Sequence, residues 1–241
     1  MMNPKNAVKE NGKADQIEQI LRLVVGKGTN TNLDNAAILA TEFIKNNEKP
    51  KDTDALTSEV MPSLRKASMN PKTVRPAIRA AVALRGLNMD LSEMSTPKMA
   101  DAFMDTLLND IKGIAKGAED TKTRHSPDKI LDLIKDGKLD EAAVILANPR
   151  KIEGGKKALK PYVPAMIEEL HKYAAKPETV LPVLRIVVTL PISKKDSLNV
   201  LEVLDDDGLV VAFRQAVQKD IAKIKDESEI AVIRREDLEE E

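Results

Sequence analysis

The sequence contains no cysteine and no tryptophan. Without cysteine the chain has no disulfide bonds, no thiolate ligands for a metal ion and no cysteine nucleophile. Aromatic residues make up 2% of the chain, as two tyrosines and three phenylalanines, so a set of aromatic side chains that stacks single-stranded nucleic acid is not expected. The interior must therefore be built from aliphatic residues and methionine, which pack well between helices.

Long apolar runs are also missing, since none approaches the roughly twenty residues that cross a bilayer. The first sixteen residues are polar and do not resemble a secretion signal. We therefore expect no membrane insertion and a cytoplasmic location, or the interior of an organelle if a presequence has been removed. Apolar residues make up 42% and charged residues 32% of the 241 positions, a composition typical of soluble globular proteins.

Charge is distributed unevenly along the chain. Residues 1–225 carry 36 basic and 31 acidic residues, whereas residues 226–241 carry 2 and 8. The body is mildly basic and the C-terminal segment is acidic. Neither imbalance is large enough by itself to indicate a nucleic-acid or membrane partner.

A fourteen-residue motif occurs twice, and it indicates an internal duplication. It begins at Pro71 and again at Pro177, 106 positions later, and seven of the fourteen positions are identical. Without any gap, residues 33–84 and 139–190 share fifteen identities in 52 positions. Asp220 and Ile221 also match Asp110 and Ile111 after a four-residue shift. The sequence therefore predicts tandem duplication of a unit of about 106 residues.

Apolar residues recur at helical spacing in both copies, which predicts an all-α fold with five helices in each copy. In the first copy we expect helices from Ala14 to Val25, from Asn32 as N-cap to Phe43, from Thr53 to Lys66, in the repeated motif, and from Pro97 to Ala115. Ser126 and Pro127 have the residue types of a helix start and begin the second series.

The predicted organisation has five parts. They are a disordered lead-in at 1–13, a first helical unit at 14–118, a connector at 119–125, a second unit at 126–225 and an acidic tail at 226–241. The two units either stack as a short α-solenoid or form two packed helical bundles. We favour the stacked array because the connector is short and is not rich in proline or glycine.

The prolines of the repeated motif allow two helix starts. Thr73 and Thr179 can be N-caps, which places Pro76 and Pro182 in the first helical turn, where a missing N–H costs little. Alternatively, the helices begin at the earlier prolines and the later ones kink them. In both interpretations the prolines determine shape.

Arg79 and Arg185 occupy the same position of the two motifs. In the second copy the arginine is surrounded by apolar residues, where an unpaired charge costs several kcal/mol. One interpretation is a structural ion pair or a side chain that reaches the surface. The other is a ligand-facing surface, and it gives our predicted partner-binding set: Lys66, Arg75, Arg79, Lys172 and Arg185.

The motif Pro-x-Thr-Val-x-Pro-x-x-Arg-x-x-Val-x-Leu follows helices that end in Leu64-Arg65-Lys66 and Leu170-His171-Lys172. This arrangement resembles the helix pairs of armadillo and HEAT repeats. The segment 136–143, Asp-Gly-Lys-Leu-Asp-Glu-Ala-Ala, is similar to the turn between helices in tetratricopeptide and pentatricopeptide arrays. The resemblance implies an interaction scaffold with a concave face.

Three fragments with possible chemistry lack the patterns that this chemistry needs. Gly26-Lys27-Gly28-Thr29 has no lysine after its second glycine, unlike a phosphate-binding loop. Asp205-Asp206-Asp207-Gly208 lacks the alternating ligands and the distal glutamate of a calcium loop. His125 and His171 are not at metal-ligand spacing. We therefore predict no catalytic residues, no metal site and no cofactor.

We expect a non-enzymatic helical repeat protein that acts as a protein-binding scaffold, adaptor or assembly factor. An alternative is RNA binding through the basic residues named above, and a third possibility is a small-molecule carrier. The acidic tail is either solvated, or it docks on the body or on a partner through Ile230, Val232 and Ile233. Oligomeric state and partner identity are not encoded in any pattern that we find.

Overall fold

The structure is a computed structural model that describes residues 4–26, 29–47, 53–94, 96–117, 123–191 and 207–239. Over these residues the fold is all-α, as predicted, and the β-type pairing is an isolated bridge between His125 and Ile152. None of the helices in the described ranges is long and apolar enough to cross a membrane. The α-helices are α1 (Pro4–Val25), α2 (Asn30–Asn46), α3 (Asp54–Ser68), α4 (Val74–Arg85), α5 (Pro97–Gly117), α6 (Pro127–Lys135), α7 (Leu139–Ala147), α8 (Gly155–Leu159), α9 (Val163–Ala174), α10 (Val180–Val187) and α11 (Asp207–Glu239).

The helix starts follow local capping chemistry. Ser126 caps α6 by accepting a hydrogen bond from the backbone N–H of Lys129 at 3.3 Å, and Pro127 is the first helical residue, as expected. The predicted cap of α2 at Asn32 is wrong, because the Thr29 hydroxyl accepts from the Asn32 N–H and the helix begins earlier. The first helix begins at Pro4 instead of Ala14, within the segment predicted as a disordered lead-in.

The described chain divides into two compact units. Unit 1 comprises Met1–Phe103 and Val217–Glu241, and unit 2 comprises Met104–Ala216. This division follows packing, whereas the predicted ranges 14–118 and 126–225 follow sequence repetition, so those ranges and the duplication stay predictions. Most of the predicted connector lies outside the described residues. The predicted acidic tail is largely helical, since α11 continues to Glu239, and its side chains beyond residue 227 are outside the described part.

Unit 1 is assembled around the contact between α2 and α4. Helix α1 packs on α2 and α3, and α3 also packs on α4. The α2–α4 contact is close because both helices present alanines to it, including the fully buried Ala36, Ala40, Ala77 and Ala80. Gly86 at the end of α4 has the same role, because a Cβ there would lie 2.5 Å from the Ile44 Cδ1 atom.

Unit 2 shows the same order of neighbours. Helix α6 packs on α7 and α9, and α10 packs on α7 and α9. Its core is aliphatic and includes Ile130, Leu146, Met166, Leu170 and Ile186. Ile111, near the end of α5, belongs to this core and is almost fully buried. The last part of α5 therefore packs in unit 2, although the helix begins in unit 1.

The repeated motif forms the same turn in both units. Helices α4 and α10 begin at Val74 and Val180, so Pro76 and Pro182 lie in the first turn, which confirms the first of the two helix starts. The threonine before each helix makes no side-chain cap to it. Instead, the Thr73 hydroxyl donates to the Ala67 carbonyl and the Thr179 hydroxyl to the Tyr173 carbonyl, both at 2.6 Å. Each threonine thus satisfies a carbonyl at the end of the preceding helix.

Replacing these hydroxyls by methyl groups tests the turn. We expect Thr73→Val and Thr179→Val each to lower the free energy of unfolding by about 1 kcal/mol, because the carbonyl at the helix end loses its short hydroxyl donor. It then keeps backbone N–H donors such as those of Asn70 and Lys176, which lie 3.3 Å away. Urea unfolding followed by circular dichroism measures the change.

Thr57→Val is the matched control. The Thr57 hydroxyl oxygen is buried and has no hydrogen-bond partner among the described residues, so its removal should leave stability unchanged or raise it slightly. Equal destabilisation by all three substitutions would show that the turn hydrogen bonds contribute nothing specific.

Candidate functional site

Arg79 of α4 is held inside unit 1 by two carboxylates. Its Nε and Nη2 atoms donate to the two oxygens of Asp34 on α2, at 2.8 and 3.1 Å. Its Nη1 atom donates to Asp220 of α11 at 2.6 Å. The Arg79 side chain is 13% exposed, so this pairing is shielded from solvent. The guanidinium therefore joins three helices, one of which lies 141 residues away along the chain.

The charge on Arg79 is stabilised where burial opposes it. Burial by itself lowers the pKa of the Arg79 guanidinium, but its hydrogen bonds to Asp34 and Asp220 and the negative charges of these carboxylates outweigh burial, so the pKa is raised above its ordinary value. The guanidinium is therefore protonated at neutral pH.

Arg185 of α10 makes the corresponding arrangement in unit 2 with looser geometry. Its Nη1 atom donates to Asp140 of α7 at 2.8 Å, and its Nη2 atom lies 3.7 Å from Asp110 of α5. Within the described part of the chain, the buried Nε atom has no hydrogen-bond partner. The carboxylates of the two clusters are about equally exposed, since Asp140 and Asp110 are 48% and 21% exposed and Asp220 and Asp34 are 47% and 18% exposed. The clusters therefore differ in geometry, because Arg185 binds Asp140 through Nη1 whereas Arg79 binds Asp34 through both Nε and Nη2.

The two arginine clusters have the same sequence spacing between arginine and aspartate. Arg79 and Arg185 each lie 45 residues after the carboxylate they bind on the neighbouring helix, Asp34 or Asp140. The other carboxylate comes from the helix that ends the other predicted copy, because Asp220 joins Arg79 and Asp110 joins Arg185. In unit 1 this carboxylate comes from a separate stretch of the chain, Val217–Glu241, whereas in unit 2 it lies within the continuous range Met104–Ala216.

The five predicted partner-binding residues are divided between the two units. Unit 1 contains Lys66, Arg75 and Arg79, and unit 2 contains Lys172 and Arg185. Lys66 is exposed in the last turn of α3, and Arg75 is half-buried in the first turn of α4. Lys172 is exposed and donates to both oxygens of Glu169 at 2.8 Å.

Of the two interpretations of Arg79 and Arg185, the described structure shows the ion pairs. The guanidinium donors of Arg79 already bind carboxylates, and those of Arg185 partly do. The role of the five residues in partner binding stays a prediction. Among the described residues there is no cluster of three or more histidine, aspartate or glutamate side chains that could hold a metal ion.

Sequence reasoning missed the partners of both arginines. Asp34 and Asp140 stand at the same offset from the arginines, and Asp110 and Asp220 match between the copies, so a signal was present in the repeat. The pairing of Arg79 with Asp220 and of Arg185 with Asp110, however, had no signal, because the predicted repeat does not specify which of two matching helices packs on which unit.

Comparisons of the chain with known protein families, with curated proteins and with solved structures found no match. The armadillo, HEAT and tetratricopeptide likeness therefore rests on the sequence pattern and on all-helical packing compatible with that class.

Removing each arginine tests the clusters. We expect Arg79→Met to lower the free energy of unfolding by about 3 kcal/mol, because Asp34 is left as an uncompensated, mostly buried charge. Arg185→Met should cost about 1 kcal/mol, since Arg185 binds Asp140 through one nitrogen and its Nη2 atom lies 3.7 Å from Asp110. Chemical denaturation followed by circular dichroism measures both.

The exposed Lys66→Met serves as the control for loss of a positive charge and should change stability by less than about 0.5 kcal/mol. If Arg79→Met proved as harmless as Lys66→Met, the unit 1 cluster would not be a structural ion pair.

Proposed function

We propose that the chain is a non-enzymatic helical scaffold that binds another protein, as an adaptor or assembly factor. The observation that carries this proposal is the way unit 1 holds the remote helix α11. Docking of an amphipathic helix on a helical surface is a recurrent mode of protein recognition, and unit 1 uses it within its own chain. We infer that the same chemistry serves an external partner.

The docking of α11 combines two ion pairs with an apolar contact. Asp220 pairs with Arg79 at the centre. Val217 and Ile221, on the same side of the helix, are buried. Lys225 forms an ion pair of 2.6 Å with Glu42 of α2. Apolar burial supplies affinity in helix interfaces, and ion pairs beside it favour one register.

The C-terminal part of α11 is the segment we assign to the partner. The helix continues from Lys225 to Glu239, which at 1.5 Å per residue is about 20 Å. It carries Ile230 and Ile233 at helical spacing among mostly acidic residues. Apolar residues three apart lie on one helix face, so this segment suits a partner that offers an apolar groove with basic residues beside it.

The alternative of RNA binding through the predicted set has fewer available cations than the sequence suggested. Arg79, Arg185 and Lys172 already bind carboxylates, so phosphate contacts from these side chains would compete with ion pairs inside the chain. It stays a prediction, as does a small-molecule carrier, and no specific observation favours either.

The partner proposal is tested by affinity capture with quantitative mass spectrometry. A bait lacking residues 226–241 and an Ile230→Asp, Ile233→Asp bait should both lose, at least tenfold, the same proteins that the intact chain captures. A Glu229→Gln, Glu236→Gln bait is the control for altered charge with the apolar residues kept, and it should retain them.

A further bait, Lys66→Glu with Lys172→Glu, tests the exposed cations of the predicted site. Loss of the same proteins would add these lysines to the interface. Capture that is identical for all baits would contradict the proposed scaffold function at this helix.

A further inference from the structure

A dense group of cations lies on one surface segment of unit 2. Residues 148–160 connect α7 to α9 and contain five basic residues and one acidic residue. Four of the five basic side chains are exposed and Lys151 is half-buried. We call this group the basic platform, and it comprises Arg150, Lys151, Lys156, Lys157 and Lys160.

The backbone under the basic platform is fixed. Ile152 and Leu159 lie among the cations in the sequence and are buried in the core of unit 2. The Lys151 carbonyl accepts from the His125 N–H at 2.7 Å, and the Glu153 N–H donates to the His125 carbonyl at 3.0 Å. The Arg150 N–H donates to the Asn148 side chain at 3.2 Å. The cations therefore project from a preorganised surface, which lowers the entropic cost of binding.

The positive charge of the platform is not balanced locally. Among the described residues, no carboxylate lies within ion-pair distance of its five side chains, and the polar contact there is a 3.5 Å one from Lys156 to the Thr189 carbonyl. By contrast, Lys172 and Lys225 each hold a glutamate. Clustered like charges oppose folding, so such a cluster indicates an external anion.

The packing of the unit does not require these cations. The positions 106 residues earlier, 42–54, contain three lysines and four acidic residues. If helix packing demanded a basic segment here, the matching segment would be basic as well. The cations are therefore specific to unit 2.

We propose that the basic platform binds the sugar–phosphate backbone of a nucleic-acid duplex. The large exposed apolar side chains of the described residues are Val25, Val210 and Val211, and none lies in 148–160. Protein interfaces have an apolar core, whereas nucleic-acid interfaces are polar and strongly positive, so the platform matches the latter.

The chemistry further favours a duplex over single strands. Single-strand binding relies on aromatic side chains that stack bases, and the nearest tyrosine in sequence, Tyr162, is half-buried with its hydroxyl bound to Asp128 at 3.0 Å. Lysines bind phosphates as point charges without reading sequence. Gly154 and Gly155, both with positive φ, keep the centre of the platform free of side chains, so a backbone can approach closely.

Fluorescence anisotropy with a labelled 20-base-pair DNA duplex and an RNA duplex of the same sequence tests this proposal on the full chain. The triple variant Lys156→Glu, Lys157→Glu, Lys160→Glu should bind at least tenfold more weakly at about 100 mM salt. The slope of log affinity against log salt should also become shallower by about two to three, because up to three phosphate contacts are lost.

The matched control is Arg65→Glu, Lys72→Glu, Lys98→Glu, which makes the same charge change at exposed positions of unit 1 and should keep most of the affinity. The milder Arg150→Gln, Lys151→Gln variant should weaken binding less than the triple variant, and circular dichroism should confirm that every variant is folded.

Three results would overturn the proposal. The first is no binding of either duplex by the intact chain, and the second is an equal loss in the platform and control variants. The third is platform-dependent binding of poly-glutamate or of single strands in preference to a duplex. None of these outcomes bears on partner capture by the end of α11, so the two proposals fail separately.

Discussion

The ion pairs of Arg79 with Asp34 and Asp220 are the constraint on which unit 1 depends. Burying the Arg79 guanidinium in a largely apolar unit costs free energy unless its N–H donors have partners. Helix α4 contains no acidic residue, so those partners come from other helices. The pair with Asp34 fixes α4 against α2, and the pair with Asp220 brings α11 to the same place. The alanine packing sets the distance between α2 and α4. The ion pair of Arg79 with Asp34 sets the register of the two helices along their axes.

The same principle recurs in unit 2 with a weaker pair. Arg185 contacts Asp140 on α7 and Asp110 on α5. Helix α5 begins in unit 1, and its part from Met104 onward belongs to unit 2. Helices α5 and α11 therefore each contribute to both units. As a consequence, neither sequence half contains both of the carboxylates that its own arginine contacts.

The sequence predicted what depends on local pattern. Helical periodicity identified the all-α fold, and proline chemistry placed Pro76 and Pro182 in first turns. The sequence did not predict contacts between residues that are far apart along the chain. The hydroxyls of Thr73 and Thr179 bind the preceding helix instead of their own, and the partners of Arg79 lie 45 and 141 residues away. The basic platform did have a local signal, since comparing the charge of 148–160 with that of 42–54 would have found it.

Asp220 anchors α11 to unit 1 through its ion pair with Arg79. Hydrogen-exchange mass spectrometry of an Asp220→Lys chain tests this anchor, because the lysine would repel the guanidinium. We expect faster exchange in α2, in α4 and in the part of α11 from Val217 to Lys225, with α7 and α10 exchanging as in the unmodified chain. Unchanged protection of α2 and α4, or an equal loss in both units, would contradict it.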